Sequence, residues 1–255
     1  MIRLLMLLVD DLSPDAAEIA RIKDAVEAMA PGTVTATVEP IQFGLGHYYE
    51  DSVGLAMAVP GVLHQVDRHQ DDTDVIVLGC FGDPGLRPAR EISRVPVIGG
   101  GEASMVLAQL YARRFGILQI RASNIPETEV ALATLGLSGM CVGTGVVDMA
   151  FYELLDDPAK TLDLLVREGR KLVDRGAEVL ILGCISLGLG PFTAELSDAL
   201  QVPVINPVRA AIAAAQVFQT LGPPVSGRPE DYGQLRSYLP AVARALSAAH
   251  PGSGE

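Results

Sequence analysis

VIVLGC at Val75–Cys80 and VLILGC at Val179–Cys184 are two copies of one apolar stretch that ends in Leu-Gly-Cys. Each copy continues through a Gly-rich segment to the tetrapeptide Val-Pro-Val-Ile, at Val95–Ile98 and at Val202–Ile205, and then to an Ala-rich helical pattern. The second turn is three residues longer, because the cysteines lie 104 positions apart and the tetrapeptides 107. The chain therefore contains an internal duplication with a thiol at the matching point of each half.

Strand and helix patterns alternate through both halves. Apolar or β-branched runs of strand length predict β-strands at 4–9, 33–38, 75–80, 95–98, 116–120, 139–142, 179–184 and 202–205. Apolar residues spaced three and four apart predict helices between them, over about 14–30, 52–70, 102–113, 126–135, 194–200 and 208–221, around Arg90–Ile92 and through Leu162–Leu172. Gly222–Glu230 is typical of a linker, and a short terminal helix follows it.

Strands that alternate with helices favour a parallel sheet, because a helical crossover returns the chain in the same direction. We therefore expect an α/β fold of two similar lobes, each a parallel sheet flanked by helices, related by a pseudo-two-fold axis with the site between them. The first lobe is expected to comprise residues 1–98 plus 207–255, and the second residues 99–206. Ligands of open α/β sheets bind beyond the carboxyl ends of the strands, so the topology predicts that Cys80 and Cys184 face one another across a cleft.

The composition argues against several classes of protein. A formal net charge of −12 disfavours a nucleic-acid partner, since affinity for phosphate backbones comes mostly from clustered Lys and Arg. Three widely spaced cysteines make neither a disulfide framework nor a zinc motif, and they suit a reducing cytoplasm. The apolar start of the chain meets Asp10 at once, so it predicts a buried strand rather than a signal peptide, and no apolar run is long enough for a membrane span. We expect a cytoplasmic homo-oligomer that binds a small molecule, without a nucleic-acid or membrane partner.

Two facing cysteines can invert a carbon centre. One thiolate removes the proton next to a carbonyl, and the other thiol delivers a proton to the opposite face of the planar intermediate. Backbone N–H groups in the turn after each cysteine would lower the thiol pKa and hold the developing oxyanion. No metal or pyridoxal phosphate is required, so we expect no cofactor. A lone cysteine after an apolar strand is more often an inert buried residue, which is our interpretation of Cys141, whereas the duplication favours catalysis by Cys80 and Cys184.

Further candidates lie near the predicted strand ends. The residues that we predict to contact the substrate are Asp10, Asp11, Tyr48, Phe81, Gly82, Asp83, Gly101, Ile185 and Ser186. Alternatively, the two aspartates only start the first helix, Tyr48 packs its own loop, and Gly101 allows close packing of strand and helix instead of binding an anion. His64 and His69 lie on a polar helix, where a solvated face is more common than a metal site, so we predict no metal.

The segment CFGDPGL at Cys80–Leu86, with GEA at Gly101–Ala103 and GAE at Gly176–Glu178, resembles the hydantoin racemases of the aspartate/glutamate racemase superfamily. GHYYE at Gly46–Glu50 is also similar to a segment of that family, in which Gly-Tyr-Tyr precedes a helix. The resemblance extends over residues 1 to about 221. It implies a cofactor-independent racemase or epimerase that uses the two repeated cysteines as acid/base groups on a 5-substituted hydantoin or a related cyclic ureide.

The chain departs from that family's pattern in two segments of the expected pocket wall. Asp10–Ser13 replaces an Asn-Pro-Asn-Thr-like loop, and Ile185–Leu187 replaces the Ala-Gly-Met that commonly follows the second cysteine. The substrate therefore stays open between a hydantoin, an allantoin-like ureide and an amino acid, although an Asp-lined mouth disfavours an anion and the Cys-Asn-Thr turn of amino-acid racemases is absent. Isomerisation or decarboxylation by one thiol is a further interpretation, and a non-catalytic two-lobed binding protein is an interpretation of another class.

Overall fold

The computed structural model describes residues 1–9, 16–41, 51–150 and 153–222, together with positions 232, 238, 239, 241 and 242. The strands in this part of the chain are β1 Ile2–Leu8, β2 Val34–Pro40, β3 Val75–Gly79, β4 Val97–Gly99, β5 Phe115–Gln119, β6 Cys141–Val146, β7 Val179–Leu182 and β8 Val204–Ile205. The helices are α1 Ala16–Met29, α2 Ser52–His69, α3 Leu86–Ile92, α4 Gly100–Tyr111, α5 Ile125–Leu135, α6 Pro158–Asp174, α7 Ile185–Leu189, α8 Phe192–Leu200 and α9 Pro207–Leu221. A 3-10 turn, Ala122–Asn124, precedes α5.

The strands form two parallel sheets of four strands each, as the alternating pattern predicts. The strand order is β2-β1-β3-β4 in the first sheet and β6-β5-β7-β8 in the second. The duplication extends to individual hydrogen bonds: the proline carbonyl of each Val-Pro-Val-Ile accepts from the adjacent strand, at 3.0 Å from Ile76 N in one half and at 3.0 Å from Leu180 N in the other. The repeated sequence therefore encodes the same strand pairing twice.

The chain divides into two compact units. One comprises Met1–Gly79, Asp83–Ile98 and the chain from Ala215 onward, and the other comprises Cys80–Gly82 and Gly99–Ala214. The lobe boundaries expected from the sequence, after residue 98 and after residue 206, stay a prediction.

Each sheet is covered by helices on its apolar faces. In the first unit the central strands contribute the continuous buried runs Leu4–Leu7 and Val75–Leu78. In the second unit β5 and β7 are buried at every residue, and Leu165 and Leu172 of α6 pack into the same core as Phe192 of α8. Such runs occur where a parallel strand has no solvent-exposed face. In the described part of the chain, no helix is both long and apolar enough to cross a membrane.

Two predicted elements of the second unit differ from the structure. The segment after Cys184, predicted to be a turn because of its glycines and Pro191, forms the short helix α7, whose Leu187 is fully buried. Strand β6 begins at Cys141 and continues to Val146 instead of ending at residue 142. Gly143 and Gly145 weaken the local strand pattern, but a Cβ at residue 145 would lie 3.0 Å from the Glu168 Cβ, so this glycine allows α6 to pack against the strand.

Candidate functional site

Both repeated cysteines lie at the carboxyl end of a central strand of a parallel sheet. Cys80 directly follows β3, and Cys184 follows β7 as the N-cap residue of α7. Both residues are half-buried, and neither forms a disulfide. Each sheet therefore carries one thiol at the edge where open α/β sheets bind their ligands.

The glycine before each cysteine is required by the adjacent strand. A Cβ at Gly79 would lie 2.8 Å from the carbonyl oxygen of Leu7, and a Cβ at Gly183 would lie 2.8 Å from that of Leu118. Contacts of a Cβ below about 3 Å to backbone force a shift of one strand or the other. Gly-Cys therefore brings each thiol to the sheet edge without displacing the neighbouring strand.

The turn after Cys80 is tight and has a left-handed residue. Phe81 is buried and Gly82 is exposed, while Asp83 is half-buried with a φ of 47°. The Asp83 carbonyl accepts a hydrogen bond from Leu86 N at 3.2 Å, at the start of α3. The predicted substrate contacts Phe81, Gly82 and Asp83 therefore lie in one turn beside the first thiol.

The segment after Cys184 has a different structure. Ile185 is buried, Ser186 is half-buried, and both belong to α7. The first turn of this helix includes a hydrogen bond from Gly188 N to the Cys184 carbonyl at 3.3 Å. The second turn is three residues longer, and it contains a helix that the described segment between Cys80 and α3 does not have.

Two buried amide side chains near Cys184 are absent from the set predicted from sequence. Gln119, which ends β5, is 2% exposed and donates through Nε2 to Thr128 Oγ1 at 2.8 Å. A Cβ on Gly183 would lie 2.8 Å from the Gln119 Cδ, so this amide lies directly against the residue before Cys184. Asn206, which follows β8, donates to the Gly188 carbonyl of α7 at 2.7 Å. An Asn between a strand and Pro207 is a helix-capping signal, whereas nothing in the local sequence identifies Gln119.

A charged pair follows the strands of the same sheet. Arg121 comes directly after Ile120, and its guanidinium Nη1 lies 3.2 Å from the Asp148 Oδ1 beyond β6. Asp148 has a φ of 54° and is exposed, while Arg121 is half-buried. At this edge of the second sheet an Arg side chain therefore lies within ion-pair distance of a neighbouring carboxylate.

The remaining predicted site residues are placed as follows. Gly101 is buried in the first turn of α4, where Ser104 Oγ donates to the Gly100 carbonyl at 2.7 Å. Asp10, Asp11 and Tyr48 lie outside the described residues. Burial and the nearby Arg68 lower the pKa of His64, and the described residues include no cluster of His, Cys, Asp and Glu with the arrangement of a metal site.

Cys141 provides an internal reference thiol. It is half-buried at the first residue of β6, and its thiol donates to the Gly143 carbonyl at 3.5 Å. Burial raises its pKa above the ordinary value. Because the thiolate is the reactive species, alkylation of Cys141 by iodoacetamide should begin at a higher pH in the native protein than in urea. Mass spectrometry of the labelled peptide measures both pH profiles. A native midpoint at or below the unfolded one would contradict this prediction.

Known racemases resemble this chain in sequence and in fold. Residues 16–215 match the family model described as Asp/Glu/Hydantoin racemase. A hydantoin racemase of Pseudomonas sp. (strain NS671) is 28% identical over 230 residues, covering 89% of this chain and 87% of that protein. A hydantoin racemase of Rhizobium meliloti is 32% identical over 169 residues, covering 66% of this chain and 69% of that protein.

A solved racemase structure has a similar fold. An allantoin racemase from Klebsiella pneumoniae is similar with a TM-score of 0.78 and 27% identity, over 92% of this chain and 93% of that chain. Both four-stranded sheets have most of their strands inside the segment that matches the family model. This chain is therefore a racemase that belongs to the Asp/Glu/hydantoin racemase family.

Proposed function

We propose that this protein racemises 5-substituted hydantoins or related cyclic ureides without a cofactor, using Cys80 and Cys184 as its two acid/base groups. The observation that carries the proposal is the matched position of the two thiols. Each follows a Leu-Gly sequence at the carboxyl end of a central strand, and each is preceded by a glycine in close contact with the carbonyl of the adjacent strand. The hydantoin and allantoin racemases among the relatives support a cyclic ureide as the substrate class.

The proposed reaction balances without any other reagent. One cysteine, as the thiolate, removes the hydrogen bonded to C5 of the ring and becomes a thiol. The electron pair of the broken C–H bond moves into the adjacent carbonyl and forms an enolate. The other cysteine, as the thiol, gives its proton to the opposite face of C5 and becomes a thiolate. The two cysteines exchange roles in the reverse direction, so one site processes both enantiomers.

Thiolate formation near neutral pH requires local stabilisation, since an unperturbed thiol has a pKa of about 8.5. We assign this role to backbone N–H groups that follow the cysteines, from Phe81 and Gly82 in the first turn and from Ile185 and Ser186 in the second. The same groups would donate to the enolate oxygen, where the negative charge develops.

The polar groups around Cys184 favour a neutral substrate over a free amino acid. The buried side chains of Gln119 and Asn206 are uncharged amides, and Arg121 is paired with Asp148 at 3.2 Å. A free amino acid brings a carboxylate, which an unpaired cation at this edge of the sheet would favour. A ureide ring carries no net charge and therefore does not need such a cation.

A substrate panel tests the proposal. Purified protein is incubated with single enantiomers of 5-substituted hydantoins, of allantoin and of free amino acids, and loss of optical rotation is followed against protein-free samples. We expect loss of rotation with at least one class of cyclic ureide and none with the amino acids. Racemisation of amino acids alone would replace the proposed substrate class, and no turnover of any compound would favour a non-catalytic binding protein.

A further inference from the structure

We infer that Asn206 is a positioning residue for Cys184 and holds the helix that begins at this cysteine through its side-chain amide. The inference rests on the proposed catalytic role of Cys184. Asn206 acts on Cys184 through α7 and is not itself a contact of the substrate.

Asn206 is buried and makes four hydrogen bonds through its side chain. Its Nδ2 donates to the Gly188 carbonyl at 2.7 Å and to Thr193 Oγ1 at 3.0 Å. Its Oδ1 accepts from Val208 N at 2.9 Å and from Arg209 N at 3.2 Å, in the first turn of α9. The amide therefore joins the start of α9 to the helix that follows Cys184, and its donor and acceptor ends serve different helices.

Gly188 is the link between Asn206 and Cys184. Its carbonyl accepts from Asn206, and its N–H donates to the Cys184 carbonyl at 3.3 Å. The contact is tight, since a Cβ at residue 188 would lie 2.8 Å from Asn206 Oδ1 and 3.1 Å from the Pro207 Cδ. A helix of five residues has too few internal hydrogen bonds to be stable alone. Its position, and with it the backbone of Cys184, therefore depends on contacts such as this one.

The described segments at the matching positions of the first half do not repeat this arrangement. The residue that follows Val-Pro-Val-Ile is Asn206 in the second copy but Gly99 in the first, and the first cysteine is followed by the turn at Asp83 instead of a helix. A change at Asn206 should consequently alter Cys184 and leave Cys80 unaltered. Cys80 then serves as an internal control within the same molecule.

Two variants disturb the contact between Asn206 and Gly188, and a third is the control. Asn206→Asp keeps an acceptor oxygen for Val208 N and Arg209 N but loses the donor to Gly188. In Gly188→Ala the new Cβ would lie 2.8 Å from Asn206 Oδ1, so it disturbs the same contact without adding a charge. Thr193→Val, the matched control, removes a different partner of the Asn206 Nδ2 and leaves the bond to Gly188 in place.

The test combines racemisation kinetics with the pH profile of iodoacetamide labelling at each cysteine, read by mass spectrometry. We expect Asn206→Asp and Gly188→Ala to lower kcat by about 100-fold, as a displacement near 1 Å does, with a smaller change in KM. In both variants the midpoint of Cys184 labelling should rise by about one pH unit, a tenfold fall in thiolate fraction, while the Cys80 midpoint stays unchanged. Thr193→Val should resemble the unmodified protein in every readout.

Two results would overturn the inference. An unchanged Cys184 midpoint in Asn206→Asp would mean that Asn206 only caps α9. Equal changes at Cys80 and Cys184 would mean a general loss of structure, which thermal melting checks independently. If Asn206→Asp fails to fold, Gly188→Ala decides, because it adds no charge that would raise the thiol pKa by itself. If the unmodified protein racemises no ureide, the proposed function fails. The Cys184 labelling midpoints of the variants, compared with that of the unmodified protein, still show whether Asn206 positions Cys184.

Discussion

Cys80→Ala and Cys184→Ala will each lower kcat/KM for ureide racemisation by about 10³-fold, within the range that one acid or base group supplies. Each substitution removes either the base or the acid, depending on the direction of the reaction. Because the equilibrium constant of a racemisation is one, kcat/KM must fall equally for the two enantiomers. The double variant should be scarcely slower than either single variant, since the two groups act as a unit.

Cys141→Ala is the matched control for these substitutions. Like the other two substitutions, it removes a half-buried thiol. Because burial raises the pKa of this thiol, we do not expect it to act as a base, and the variant should keep the original rate. Polarimetry with purified single enantiomers measures the parent protein and the four variants. Full activity in either the Cys80 or the Cys184 variant would refute the paired mechanism, and a similar loss in the Cys141 variant would show that the effect is not specific to the repeated cysteines.

Gly79→Ala and Gly183→Ala will each destabilise the protein and slow the reaction. The new Cβ would lie 2.8 Å from a backbone carbonyl oxygen of the adjacent strand in both cases. A backbone atom yields less readily than a flexible side chain, so the strand and the following cysteine must move. We expect the free energy of unfolding to fall by about 1–3 kcal/mol, as in other overpacked cores, and kcat to fall by about 100-fold, as when a reacting group is misplaced.

Gly139→Ala provides the control for the glycine substitutions. A Cβ at Gly139 would meet no atom within 4 Å, so this variant should match the parent or be slightly more stable through the reduced freedom of its unfolded chain. Urea unfolding and initial rates give both quantities for each variant. Parental stability and activity in Gly79→Ala and Gly183→Ala would show that the strands absorb the added methyl groups and that the glycines do not determine where the cysteines lie.

The sheets could be predicted because each strand is identified by residues that are adjacent in the sequence. Parallel strands buried on both faces appear as continuous apolar runs, and the two Leu-Gly-Cys copies end such runs at β3 and β7. The position of both thiols at a sheet edge follows from these runs together with the direction of the crossovers. The matching backbone bonds at Ile76 and Leu180 are the structural counterpart of the duplicated sequence.

The surroundings of Cys184 were not predictable in the same way. Asn206, which lies 18 positions from Gly188, donates a hydrogen bond to helix α7. The glycines of the α7 segment, taken alone, predict a turn. The contact of Gln119 with Gly183 joins neighbouring strands of the sheet, so no periodicity in either strand reveals it. Residue patterns along one segment identified the thiols, whereas the polar groups around the second thiol depend on pairings between distant segments.

Deuterium exchange tests the two-thiol mechanism most directly. One enantiomer of a racemised hydantoin is incubated with the protein in D2O to low conversion, the two enantiomers are separated, and the hydrogen at C5 is measured by NMR against a protein-free sample. We predict one deuterium at C5 of the product enantiomer and protium in the recovered substrate, because the group that removes the hydrogen is not the group that delivers one. Product that retains the original hydrogen, or recovered substrate that gains deuterium as fast as product forms, would contradict the account.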